Sequence, residues 1–208
     1  METVNWLLVH DGVFGTLAGT VLGAVLGFGS SWFMQWRQGS KERQIAKMQI
    51  ASNLRHWANC IRSEVCDTRT WMGSNGDGGT RHADIRDFRF ESSLTQVSIL
   101  ERDLANRLFK LIHEKDDANG KIAATFEYEE EEDALDEFCG RAGKLYGDAV
   151  LIYNDIAGDL RWPHDAFSER ANNLMRGEYE RLCALEAQRA SFNDDLFEEF
   201  GDAVPVST

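Results

Sequence analysis

The sequence predicts an all-α protein: a single N-terminal transmembrane helix followed by a cytoplasmic antiparallel four-helix bundle. Three observations lead there. Residues 12–36 contain no Asp, Glu, Lys or Arg. The chain holds only two prolines, Pro163 and Pro205, and proline is tolerated worst inside helices. No stretch sustains the apolar–polar alternation of a half-buried strand, while apolar residues recur at helical spacing in several places.

At 208 residues there is room for one anchor and one domain. The mean hydropathy of −0.40 means that the apolar material is concentrated, which excludes a multi-span transporter. The expected organisation is a short extracytoplasmic N-terminus (1–11), the span (12–36), a cytoplasmic bundle (37–200) and a flexible tail (201–208). Net charge is −13, with 22 basic against 35 acidic residues. A duplex-binding surface must neutralise phosphates, so a nucleic-acid partner is not expected. Cys60, Cys66, Cys139 and Cys183 are scattered outside any metal-ligand spacing and read as small buried hydrophobes. Neither a metal nor a cofactor is expected.

The charge-free segment is 25 residues long, roughly 37 Å as a helix against a hydrocarbon core of about 30 Å. Trp6 on one side and Trp32 and Trp36 on the other stand where interfacial aromatics belong. The preceding METVNWLLVHD has no Lys or Arg, so the basic n-region of a cleaved signal peptide is missing. Arg37, Lys41, Arg43 and Lys47 follow the segment, whereas Glu2 and Asp11 precede it. The positive-inside rule then puts the N-terminus outside and the remainder in the cytoplasm, at the inner membrane of the cell.

Gly15, Gly19, Gly23 and Gly27 form one small ridge on that helix, widened by Gly12, Ala18 and Ser30. In lipid, helices associate through close backbone approach, which small residues permit. The pattern resembles a glycine zipper, a motif of homo-oligomeric membrane helices and some channels. The resemblance implies self-association, with a conducting pore as a narrower alternative.

Beyond the anchor, Ile45, Met48, Leu54, Ala58, Ile61 and Val65 predict a first long helix over 40–71. Gly73–Thr80 reads as a flexible loop. Leu94, Val97, Leu100, Leu104, Leu108 and Leu111 mark a second helix, expected to end at Asp116–Gly120, where Asn and Gly suit a C-terminal cap. A third is expected over 124–158, with Leu135, Phe138, Ala142, Leu145, Ala149, Ile152 and Ile156 inward. The break at Arg161–His164 precedes a fourth helix over 166–200, with Leu174, Leu182, Leu185, Phe192, Leu196 and Phe200 on its seam. Short connections make an antiparallel bundle the economical architecture.

The most conspicuous polar feature is the acidic run through Glu129, Glu130, Glu131, Glu132 and Asp133, continued by Asp136 and Glu137. Consecutive carboxylates point around the whole helix and complement the positive end of its dipole. They read as a solvated N-terminal turn, with docking of a basic partner second. No His has an acid three residues before it, against a di-iron bundle. Residues 73–84 have Gly73 and Asp84 where a calcium loop needs Asp and Glu. Arg55, His56 and Trp57, near Asn53 and Asn59, read as a half-buried histidine beside a packing tryptophan, with ligand binding as the alternative.

Arg107 and His113, in Arg-Leu-Phe-Lys-Leu-Ile-His, resemble the Arg-x(4–6)-His element of HEPN ribonucleases, which are also helical bundles. The resemblance covers seven residues, and Leu108 stands where that family usually has a polar side chain. It implies a membrane-tethered ribonuclease, Arg binding a scissile phosphate and His moving a proton across a dimer. Against it stands the leading expectation of a non-enzymatic single-pass membrane protein. Its span self-associates in the lipid bilayer and its acidic bundle binds a cytoplasmic protein partner or signal, as a membrane effector, scaffold or exclusion factor does. A pore-forming effector gated by the bundle is the other alternative.

Overall fold

Small and apolar side chains at three- and four-residue steps build every helix of the bundle, and they set how closely the helices approach. The computed structural model describes the backbone of residues 3–88, 100–162 and 166–201, and the side chains of 38–88, 100–162 and 166–191. Among these residues there are four helices and no strand: α1 (Thr3–Gly73), α2 (Arg102–Tyr128), α3 (Glu131–Leu160) and α4 (Glu169–Gly201). The chain divides into two units, Met1–Ile45 and Ala46–Thr208, and the helical bundle belongs to the second.

On α1 the buried stripe is Ala46, Ile50, Leu54, Trp57, Ala58, Ile61 and Val65. Ile45 and Met48, expected on the inner face, are 54% and 42% exposed. The stripe is set by Ala46 and Ile50, one position beyond Ile45 and two beyond Met48.

α2 departs furthest from expectation. It does not stop at Asp116–Gly120 but continues to Tyr128. Its inner face, Leu108, Leu111, Lys115, Ala118, Ile122 and Thr125, keeps three- and four-residue steps through the expected stop. Asn119 makes no cap there; its side chain is engaged elsewhere in the fold. The expected Leu94 and Val97 lie outside the described residues. The third helix accordingly starts later than 124. The chain breaks at Glu129 and Glu130, both extended, and α3 begins at Glu131 with Glu131, Glu132 and Asp133 in its first turn. No side chain caps that end, so the three carboxylates answer the dipole by charge alone.

α3 ends on Arg161, in the left-handed region with φ 56°, and the Trp162 N–H returns to the Ala157 carbonyl at 2.8 Å. Ser168 then caps α4, its hydroxyl accepting from the Ala171 N–H at 3.2 Å, the usual way an N-cap satisfies an orphan amide. The inner face of α4 is Ala171, Met175, Glu178 and Leu182. Leu174, expected on the seam, is 42% exposed, and Phe192, Leu196 and Phe200 lie outside the described side chains.

Polar pairs reveal the helix directions. Lys47 meets Asp159, and Arg69 meets Asp136, so the α1 segment of the bundle runs against α3. Arg107 meets Asp155 and Glu114 meets Lys144, so α2 does the same. Tyr146 donates to Asn172, and Arg141 meets Glu186, so α4 does too. α3 is therefore antiparallel to all three partners, and those three are parallel to one another. This corrects the expectation of short connections throughout, because two parallel neighbours in sequence, α1 and α2, need a return crossing.

Arg69 ties three helices together. Its guanidinium reaches Asp136 of α3 and Glu178 of α4, the latter carboxylate being buried. Removing one member of such a set strands the others' charge, typically at a cost of about 3–5 kcal/mol.

α3 and α4 approach most closely at two glycines. A Cβ on Gly140 would lie 2.4 Å from Leu182 Cβ, and one on Gly143 would lie 2.5 Å from the Met175 carbonyl oxygen. Gly147, one turn on, would meet nothing within 4 Å. Gly143→Ala is expected to destabilise the bundle by about 1–3 kcal/mol through overpacking. Gly147→Ala should be neutral or stabilising by up to about 1 kcal/mol from helix propensity. Denaturant unfolding of the two variants separates a packing role from a general intolerance of substitution in α3.

Candidate functional site

The crossing between α1 and α2 begins with a tight turn at residues 74–79. Asn75, Gly76 and Gly79 have positive φ there, and Ser74 Oγ accepts from the Gly78 N–H at 2.8 Å. The expected flexible loop is thus an ordered turn. A Cβ on Gly79 would lie 2.3 Å from the Asp67 carbonyl oxygen, so the turn is seated against the end of α1.

Residues 80–88 follow as a non-helical strap. Its contacts climb α2 in reverse: Arg81 lies over the Phe126 ring, Ile85 meets Asn119, and Asp87 meets Lys115. Eleven helical steps, roughly 16 Å at 1.5 Å each, are matched by six steps along the strap. That is about 2.7 Å per residue, close to extended backbone. Asn119 brackets Ile85 twice, its Oδ1 accepting the amide at 2.7 Å and its Nδ2 donating to the carbonyl at 3.0 Å. On the α1 side, Trp57 Nε1 donates to the Arg86 carbonyl at 2.9 Å, and Phe88 packs against the Trp57 ring at 5.2 Å.

Between α1 and the strap lies a cavity of about 770 Å³. One wall is Ser52, Asn53, His56 and Cys60 of α1; Arg86, Asp87 and Phe88 form the other, and Trp57 also lines it. The sequence signal had pointed to His56, Trp57 and Asn53 but not to the strap. Arg86, Asp87 and Phe88 were missed because they carry no periodicity; the absence of a helical pattern between the glycine turn and Leu94 was the available clue.

Below the cavity, α1 carries Glu64, which is 5% exposed. Its Oε1 pairs with Arg86 at 2.7 Å, while Oε2 has no hydrogen-bond partner among the described residues. Burial raises the Glu64 pKa, against the lowering pull of Arg86 and His82. His82 itself stacks on Phe138 at 6.2 Å.

The cysteines divide, against the expectation that all are buried. Cys139 is buried, and desolvation pushes its thiol up to about 12 despite the nearby Arg69. Cys66 and Cys183 are exposed, and Cys60 is half-buried at the cavity, where its Sγ lies 3.7 Å from His56 Nε2. The reason is position: Cys60 and Cys66 fall off the Ala58–Ile61–Val65 stripe.

Arg107 is exposed and paired with Asp155. It borders a second, shallower hollow of about 190 Å³ with Lys110, Glu114 and Asp148. Burial, together with the neighbouring Glu114 carboxylate, raises the Asp148 pKa. His113 is exposed and does not line that hollow, so one chain does not bring Arg107 and His113 together. Within the acidic run, Glu129 pairs with Arg189 and Glu131 with Arg81, while Asp136 and Glu137 turn inward to Arg69 and Arg141. Glu130, Glu132 and Asp133 are exposed.

Among the described residues no helix is long and apolar enough to cross a membrane. The expected span at 12–36, with Gly15, Gly19, Gly23 and Gly27, and the flanking Trp6, Trp32, Trp36 and Arg37, lies outside the described side chains. Comparison with protein-family models, curated proteins and solved structures gave no match.

A raised folded-state pKa means that folding favours the neutral form of Glu64. That contribution to stability is full below the ordinary carboxylate range and is lost as pH rises through the raised value. The stability of wild type relative to Glu64→Gln should therefore decline as pH rises above the ordinary carboxylate range. Urea denaturation at a series of pH values measures it, and a wild type that gains stability relative to Glu64→Gln as pH rises would contradict the assignment.

Proposed function

We propose that this protein is a non-enzymatic, single-pass membrane module: the glycine-rich segment anchors and self-associates, and the bundle presents a binding surface to a cytoplasmic partner or signal. The observation that carries the proposal is the 25-residue stretch without a charged side chain, followed at once by Arg37, Lys41, Arg43 and Lys47. A stretch of that length is a membrane-span candidate, and basic residues beyond it orient the bundle inward. Glycines at four-residue steps supply the close approach that helix association in lipid depends on.

The bundle supports a binding rather than a catalytic role. Many of its ionisable groups are engaged in ion pairs between elements, such as Arg69 with Asp136 and Glu178 and Lys115 with Asp87. Two surfaces remain available to a partner. One is the α1–strap cavity; the other is the acidic corner of Glu130, Glu132 and Asp133 at the start of α3.

Fractionation of expressing cells should place the whole chain in the membrane, resistant to carbonate extraction. Detergent-extracted wild type should sediment as an oligomer, and Gly19→Ile with Gly23→Ile should shift it toward monomer. Recovery in the soluble fraction would overturn the anchor. A monomer before and after substitution would overturn self-association alone.

A further inference from the structure

The cavity wall pairs an imidazole with a thiol. His56 and Cys60 stand four residues apart on α1, a spacing that puts two helical side chains on one face. The atoms turned toward each other are His56 Nε2 and Cys60 Sγ, 3.7 Å apart. A tetrahedral zinc-class ion sits about 2.3 Å from a thiolate sulfur and about 2.0–2.1 Å from an imidazole nitrogen, which places its two ligand atoms about 3.5 Å apart. The pair is thus close to the span one ion requires, with both side chains carried on a rigid helix.

We propose that His56 Nε2 and Cys60 Sγ form a two-ligand site for a soft divalent cation of the zinc class on the wall of the α1–strap cavity. The thiol gives its proton to solvent as the sulfur coordinates, and His56 binds as the neutral ring, so affinity weakens as pH is lowered. Imidazole and thiolate together select a borderline or soft metal over magnesium or calcium. The nearby cation is held away by its pairing with Glu64, to which Arg86 lies at 2.7 Å. The chain's net charge of −13 favours cation approach. Among the described residues no group of three His, Cys, Asp or Glu side chains is placed to hold an ion. The site therefore keeps open positions, which water or a small donor molecule in the cavity fills.

The test uses the reduced full-length chain in detergent, titrated with Co²⁺. A 1:1 complex with a sulfur-to-cobalt charge-transfer band and visible d–d bands is expected. Cys60→Ser should abolish the charge-transfer band and His56→Ala should weaken binding, while Cys66→Ser and Cys183→Ser leave the spectrum unchanged. As a measurement needing no variant, Zn²⁺ should slow alkylation of Cys60, identified by peptide mapping, without slowing that of Cys66 or Cys183. A band that survives Cys60→Ser, a spectrum without sulfur-to-cobalt transfer, or equal protection of all exposed thiols would each overturn the site.

Discussion

The bundle is organised around one constraint: α3 has almost no outer face. Sixteen of its thirty residues are buried, and what remains outside is a narrow strip through Lys144, Asp148, Leu151 and Asp155. A helix that is apolar around most of its circumference is stable in water only when neighbours surround it. Three helices do so, each antiparallel to α3. Two of those packings follow directly from short connections, Glu129–Glu130 before α3 and the turn after Leu160. The third does not. For α1 to run antiparallel to α3, the chain must recross the bundle before α2 begins, and the strap carries the part of that crossing from Phe126 to Lys115.

The strap explains several features that look unrelated in sequence. Asn119 sits where it would end a helix, yet its amide brackets the Ile85 backbone instead and satisfies groups that no strand partner reaches. Trp57 places its indole N–H on the Arg86 carbonyl, so a buried ring retains its hydrogen bond. Lys115 is buried on the inner face of α2 because Asp87 and Asp116 meet its ammonium. Gly79 is required by a close approach to the α1 backbone. The cavity is a consequence of the same geometry. An extended segment is thinner than a helix, so laid along α1 it leaves space beside His56 and Cys60.

Electrostatics follow the same logic. A surplus of acid would destabilise a compact state through self-repulsion, but many carboxylates at helix boundaries are paired across elements. Arg69 joins α1, α3 and α4, Arg189 reaches Glu129 and Glu137, and Lys47 meets Glu101 and Asp159. The run at 127–133 breaks a helix rather than extending one. Beginning a new helix at Glu131 moves three carboxylates from a repulsive interior to the positive end of a dipole.

The sequence by itself determined the all-helical class, the inner faces of α1 beyond Leu54 and of α3, and the presence of His56 and Trp57 at a place worth attention. Each of these depends on local periodicity or residue type, which a single helix expresses without reference to its neighbours. The course of α2 through Gly120 was also legible, in the small or polar Lys115, Ala118 and Thr125 that complete its stripe, but only to a reader not relying on large apolar residues. Only the tertiary structure decided the rest: the parallel relation of α1 to α2, the strap, the exposure of Leu174, and the meeting of α1 with Arg86, Asp87 and Phe88 around a cavity. These are set by which helix must be surrounded and how closely glycines let others approach. Such conditions join residues 30 to 110 positions apart and leave no period in the chain.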